Sequence, residues 1–315
     1  MTGTALPAEV GRQAVRSAAE IIAPHVRRTP VLRVATGSAV VTIKAESLQV
    51  TGSFKVRGAL NTVLGAELSA DGVVTASGGN HAIAVAYAAQ RRGTPCRVYV
   101  PEICPPVKRR KIAELGADLV VGGLVYAECA EAAAEWAART GALDVHAFDR
   151  ESVIAGQGTV GAELQEQHPA ADTVLVPVGG GGLVAGIAAW YGDTARVVGV
   201  EPESCPTLTT ALAVGEPVDV STGGRAADSL GARRVGRLAL ATAVRHGLRT
   251  VTVDDAAILA AQRFLLERVG LLVEPGGATA FAAVLSGAYR PADGEQVAVV
   301  ASGSNADLAA LVPAG

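Results

Sequence analysis

The lysine of Thr51-Gly52-Ser53-Phe54-Lys55-Val56-Arg57-Gly58-Ala59 sits where an extended stretch should give way to a helix over 55–64. The dipole at a helix N-terminus disfavours a cation. The ordinary reading is a surface lysine on a first turn. The chemical reading is an amine kept neutral by burial, with nearby Arg57 adding pressure against protonation, so that it can act as a Schiff-base nucleophile. Ser77-Gly78-Gly79-Asn80-His81 places backbone N–H groups and short polar side chains at a second helix start. That pattern suits a bound carboxylate, or plain capping by Ser77 or Asn80. In the third motif, Gly179-Gly180-Gly181-Gly182, four glycines in a row cost more backbone entropy than an ordinary turn justifies. They let several N–H groups converge on one phosphate at a helix N-terminus. The same loop also fits a dinucleotide fingerprint, Gly180-x-Gly182-x-x-Ala185. In that reading Glu201, about twenty residues on, would meet a ribose hydroxyl. A nicotinamide-dependent dehydrogenase of Rossmann type is therefore the alternative from a different class, although it leaves the other two motifs without a task. The sequence has no Gly-x-Ser-x-Gly elbow and no Walker loop, and its five histidines lack metal-ligand spacing.

These motifs need strand ends to carry them. After an amphipathic helix over 8–23 and an extended stretch from Pro30, the chain settles into alternation. Apolar strands are expected at 40–43, 73–76, 96–100, 117–121, 173–178, 196–200, 250–253 and 297–300. Helices are expected at 80–91, 105–115, 126–140, 182–190 and 256–269. Short apolar β-branched runs alternating with helices signal an α/β protein whose parallel sheets are covered on both faces. In such sheets ligands bind beyond the carboxyl ends of the strands. Residues 214–235 have the weakest pattern and read as a long surface excursion.

Composition narrows the partners. Half of the 315 residues are apolar, and the 27 basic and 30 acidic residues leave a net charge of −3. With only 4 Phe, 2 Trp and 5 Tyr, there is neither a basic footprint nor a stacking platform for nucleic acid. No apolar run reaches membrane-spanning length, and Met1 to Pro7 do not resemble a secretory signal. Four scattered cysteines argue against a disulfide framework or a zinc cluster, so a cytoplasmic location is expected.

Taken in order, seven segments resemble the fold-type II pyridoxal-phosphate enzymes, and specifically the threonine/serine dehydratase (ammonia-lyase) family. They are Thr51–Ala59, Ser77–His81, Ala155–Thr159, Val176–Leu183, Val200–Glu203, Glu274–Ala278 and Ser302–Asn305. The resemblance covers nearly the whole chain. It implies a two-domain, tryptophan synthase β-like architecture: a large domain of residues 1–69 and 144–315, a small one of 70–143, and pyridoxal 5'-phosphate between them. Lys55 would carry the cofactor as a Schiff base and be the catalytic base, with Phe54 beside the ring. Asn80 would bond the ring's 3′ oxygen. Gly179, Gly180, Gly181, Gly182 and Leu183 would hold the phosphate, Ser302 would meet the pyridine nitrogen, and Glu274 would lie near the ring. Ser77, Gly79, Asn80 and His81 would hold the substrate carboxylate. The implied reaction is β-elimination from L-threonine, L-serine or a related β-hydroxy amino acid, giving a 2-oxo acid and ammonia, in a homodimer. A β-replacement enzyme and an amino-acid racemase of the same fold are the nearer alternatives.

Several positions depart from the family pattern. Racemases of the family carry a serine immediately before the Gly-Asn of the carboxylate loop, where this chain has Gly78. Many members bind a divalent cation through the Glu of Glu-Pro and an acidic residue six positions later. Here these are Glu201 and Thr207, so no metal is expected. Ala227-Asp228-Ser229 and Ser302-Gly303-Ser304-Asn305 each place a serine where the family usually has glycine, which raises the prospect of an unusual substrate. No C-terminal regulatory domain is expected after Ser302.

Overall fold

A computed structural model describes residues 10–37 and 39–306. The first residues of the expected N-terminal helix, and the stretch Met1 to Pro7, lie outside them. In chain order the helices are α1 (Arg12–Ile22), α2 (Lys55–Gly65), α3 (Asn80–Arg92), α4 (Pro106–Glu114), α5 (Tyr126–Thr140) and α6 (Glu151–Gln167). They continue with α7 (Gly182–Tyr191), α8 (Thr207–Val214), α9 (Ala227–Leu230), α10 (Arg237–Arg245), α11 (Asp255–Phe264) and α12 (Pro275–Ser286). The strands are β1 (Val31–Ala35), β2 (Val40–Lys44), β3 (Val73–Ala76), β4 (Cys96–Val100), β5 (Asp118–Val121), β6 (Leu143–Asp144), β7 (Thr173–Pro177), β8 (Arg196–Pro202), β9 (Arg249–Val253) and β10 (Val297–Val300).

Two sheets result. The larger runs β1-β2-β10-β7-β8-β9 and the smaller β5-β4-β3-β6. Every pairing is parallel except β1 with β2. Uninterrupted apolar runs such as Val297-Ala298-Val299-Val300 are buried along their length, as a strand covered on both faces requires.

Three helices not foreseen from the pattern matter for the site: α6, α10 and α12. The first is central. Its glycines are contact points between backbones rather than turns. A Cβ on Gly156 would lie 2.6 Å from the Arg57 carbonyl oxygen of α2, and one on Gly158 would lie 2.7 Å from the Gly186 carbonyl of α7. Glycine here lets α2, α6 and α7 pack closer than side chains allow. The segment 214–235 is also not simply a surface excursion. It contains α9, whose Leu230 is buried against Gly179.

Candidate active site

The three motifs and the Ser302 segment all leave the carboxyl ends of strands, and the fold brings them together. The loop before α2 is laid against the loop after β10. Ser53 and Gly303 form a bridge, Phe54 N–H donates to the Ser302 carbonyl at 3.1 Å, and Ser304 N–H donates to the Gly52 carbonyl at 2.8 Å. Glu274 N–H donates to the Gly303 carbonyl at 2.9 Å. Lys55, Ser302 and Glu274 thus share one small region although they stand far apart along the chain.

The Lys55 ammonium donates to the Ala147 carbonyl at 2.9 Å and lies 5.3 Å from the centre of the Phe54 ring. Burial lowers its pKa to about 8, opposed by the negative charge of Glu274. The expected help from Arg57 is absent. That guanidinium points away, into a closed network. It makes two bonds to Glu46 (2.8 Å each) and two to Glu163 (2.8 and 2.9 Å), while Lys44 adds a 2.7 Å bond to Glu163. Arg57, Glu46 and Lys44 are fully buried. Desolvation, not a neighbouring cation, lowers the Lys55 pKa. Glu274 is buried as well, and burial raises its pKa to about 7.

The glycine loop leaves β7 and enters α7 through Gly181, whose φ of 88° lies in the left-handed region. Among the described residues, no acceptor meets the N–H groups of Gly179, Gly180, Gly181, Gly182 or Leu183. Five successive bare donors at a helix N-terminus form an anion cradle. Behind the loop, the Phe148 ring occupies the space a side chain on Gly180 would need, and Thr207 Oγ1 anchors the Gly179 carbonyl at 2.6 Å.

The turn after β3 is not capped in the ordinary way. The start of α3 has no side-chain cap, and Ser77 Oγ instead accepts from Gly79 N–H at 3.2 Å. Among the described residues the N–H groups of Asn80 and His81 have no acceptor. The His81 ring is committed elsewhere. Its Nε2 lies 2.7 Å from the Val145 carbonyl, and burial drops its pKa to about 3, so any carboxylate would meet its main chain. Asn80 donates through Nδ2 to Glu274 Oε1 at 2.6 Å. Ser302 is buried with a single long contact, 3.4 Å to the Gly276 carbonyl. Ser53 Oγ is buried without a partner among the described residues.

One segment of the site gives no signal in the sequence. Residues 145–149, just beyond β6, supply the Val145 carbonyl to His81, the Ala147 carbonyl to Lys55 and the Phe148 ring to the glycine loop. Asp149 caps α10 through the N–H groups of Arg237 and Leu238, each at 3.0 Å. Lys108 of α4 pairs with Asp228 of α9.

The two serine departures are structural. Ser304 Oγ donates to the Ser47 carbonyl at 2.7 Å, and Ser229 Oγ accepts from Gly276 N–H at 3.2 Å. Glu201 is neither a ribose ligand nor a free metal ligand. It is fully buried, its Oε1 accepting from Leu208 N–H at 2.7 Å and its Oε2 from Thr209 N–H at 2.8 Å. The hydroxyls of Thr207 and Thr209 stand 3.1 and 2.6 Å away. The single Thr207 proton goes to the Gly179 carbonyl, so three donors hold the two oxygens of a carboxylate that is fully buried. Prolonged dialysis against a chelator is therefore expected to leave Tm unchanged; a fall of several degrees, reversed by a divalent cation, would contradict this.

A buried lysine with a lowered pKa, a glycine loop of N–H groups without acceptors and a buried serine are a set that would suit a phosphorylated carbonyl cofactor. Residues 22–303 match the family described as pyridoxal-phosphate dependent enzyme, and the chain belongs to that family. An L-threonine ammonia-lyase of Thermotoga maritima is 39% identical over 271 residues, 84% of this chain and 67% of that protein. A threonine deaminase structure from T.th. superposes with a TM-score of 0.88 at 37% identity, covering 94% of this chain and 99% of the other. Maize serine racemase gives a TM-score of 0.90 at 33% identity, covering 96% and 95%. Family membership sets the dinucleotide reading aside. Among the described residues no helix is long and apolar enough to cross a membrane.

Proposed function

We propose that this chain is an ammonia-lyase that takes L-threonine or L-serine to a 2-oxo acid and ammonia. The observation that carries it is Lys55, its pKa lowered by burial, beside a loop of five unpaired N–H donors. In this reading Lys55 is the attachment point for pyridoxal phosphate, and the N–H groups of Gly179 to Leu183 hold the phosphate. Ser302 would face the pyridine nitrogen, Phe54 would flank the ring and Asn80 would reach the ring oxygen. The N–H groups of Asn80 and His81, with Ser77 and Gly79, hold the substrate carboxylate. The cofactor, when bound, supplies an electron sink for the pair left as the Cα proton departs. Lys55 takes that proton, its lowered pKa suiting a base that works near pH 8. Ser302, a neutral hydroxyl, would offer the ring nitrogen a hydrogen bond rather than a full proton.

Ammonia and oxo-acid release from L-threonine and L-serine, measured side by side, tests the proposal. Release that requires an added thiol or other nucleophile would point to β-replacement instead. A homodimer of subunits each with a 70–143 small domain fits the family resemblance, and light scattering reads its mass.

The closeness to serine racemase gives the racemase reading its weight. Against it stands residue 78, where racemases of the family carry serine. Gly78 has no proton to exchange, and Cys104 Sγ would lie 2.9 Å from a Cβ placed there. D-Serine should form far more slowly than ammonia.

Attachment to Lys55 needs the neutral amine. With a pKa of about 8, that fraction is roughly a tenth at pH 7 and most of the protein at pH 9. The rate of cofactor uptake by the cofactor-free protein is therefore expected to rise about tenfold from pH 6 to 7 and to level off above 8. A rise that continued to pH 10 would mean an unperturbed lysine.

A further inference from the structure

Asn305 lies at the crossing of three elements and makes contacts that run in one direction only. Its Nδ2 donates to the Thr51 carbonyl at 2.9 Å and to Asn80 Oδ1 at 2.7 Å. Its Oδ1 accepts from the Lys111 ammonium of α4 at 3.3 Å. A carbonyl can only accept and an ammonium can only donate, so these two partners fix which end of the Asn305 amide is which. The side chain also rests on Gly52, where a Cβ would come within 2.7 Å of Asn305 Oδ1. With the donor end of Asn305 facing it, Asn80 must present its own oxygen there. Its Nδ2 is then left to point at Glu274 Oε1, 2.6 Å away.

We propose that Asn305 is a positioning residue that sets the polarity of the Asn80 amide, so that Asn80 offers a donor, not an acceptor, to Glu274 and to the cofactor-facing side of the site. The proposal rests on the reading of Lys55 and Asn80 given above. Its reach is electrostatic. Glu274 faces Asp228 of α9, Lys108 of α4, Lys55 of α2 and the Asn80 amide of α3. Asp228 raises its pKa, while Lys108, Lys55 and the Asn80 hydrogen bond lower it. An Asn80 turned the other way would bring a carbonyl oxygen against the carboxylate and hold its proton on to higher pH.

Asn305→Asp tests this, because a carboxylate of the same shape cannot donate to Asn80 and attracts its Nδ2. The pH profile of kcat is measured for wild type, Asn305→Asp and Glu274→Gln, the last identifying the limb that Glu274 governs. That limb should move upward by about one to two pH units in Asn305→Asp, the size of one hydrogen bond to a charged group. Made in the Glu274→Gln background, which lacks that limb, the change should leave the rest of the profile where it is. Infrared titration of the cofactor-free protein, following the protonated-carboxyl band that Glu274→Gln removes, should show the same shift. Asn305→Ala, which removes the donor without adding charge, should move the limb in the same direction by less, and serves if the aspartate variant does not fold. A loss of activity or of Tm with an unmoved limb overturns the proposal and leaves Asn305 a packing residue. Borohydride reduction followed by mass analysis of the Lys55 peptide is read separately. No cofactor on Lys55 removes the reading of the site, whereas attachment with an unmoved limb removes only the role of Asn305.

Discussion

Lys55→Ala should lose the visible absorption of the bound cofactor and release ammonia at least about a thousandfold more slowly than wild type. Two losses combine. The covalent attachment point goes, and so does the amine placed to take the Cα proton; a positioned base alone is worth about 10²–10⁴ in rate. Stability should not follow activity. The wild-type amine is a desolvated group whose charged form the fold disfavours, so removing it costs little beyond packing, and Tm should fall by no more than a few degrees. Lys55→Arg should be equally inactive, because a guanidinium stays protonated throughout the working range. Spectra, ammonia assays and thermal melts of the three proteins decide the matter. A Lys55→Ala variant that kept its colour after dialysis and turned over at a tenth of the normal rate would exclude Lys55 from both roles.

Arg57→Met should be the most destabilising single change near the site, with about 3–5 kcal/mol lost. The wild-type guanidinium makes four bonds at 2.8–2.9 Å to Glu46 and Glu163. Methionine would fill the volume and leave Glu46 facing no guanidinium in a fully buried position. The effect has a direction in pH. In the wild type, Arg57 and Lys44 hold Glu46 below its ordinary value against desolvation. That stabilisation is present above the unfolded carboxylate pKa of about 4.5 and is lost as pH falls. Without Arg57, desolvation prevails and Glu46 becomes easier to protonate than in the unfolded chain, so the variant weakens as pH rises. The gap between the two proteins should therefore be widest at pH 7–8 and narrow towards pH 5. Urea unfolding at both pH values measures it; an equal gap at both would mean that lost packing, not an unpaired charge, is responsible. Arg57→Lys should recover only part of the loss, because one ammonium cannot bridge two carboxylates in the plane a guanidinium spans.

Much of this site is legible in the residues, because its parts depend on what only particular side chains, or their absence, can do. A glycine run at a strand end and a lysine at a helix start are conspicuous against ordinary turns and helices. The strands are equally plain, since parallel strands covered on both faces leave continuous β-branched runs. What stays hidden shares a different physics. α6 has almost no solvent face, so it shows no polar–apolar periodicity, and its glycines look like breaks when they are contacts between helices. Residues 145–149 act chiefly through the carbonyls of Val145 and Ala147, and a carbonyl is common to all residues. The direction of Arg57 is hidden for a related reason. Proximity along the chain places it beside Lys55, but two positions along a helix turn a side chain to the opposite side, where Glu46 and Glu163 wait.

The order of strands in the larger sheet also bears on how the chain is made. β10, residues 297–300, lies between β2 and β7, so the middle of that sheet is the last part to leave the ribosome. The smaller sheet has all its strands once residue 144 has emerged. Between β2 and β10 lie about 250 residues, or roughly 10–50 seconds of synthesis at about 5–20 residues per second. Through that interval the β1–β2 hairpin has an open edge, and for less than half of it Lys44, Glu46 and Arg57 also await Glu163. The nascent chain therefore passes through a stage with one finished sheet and one lacking its centre, the stage at which a holding chaperone would find the most to bind.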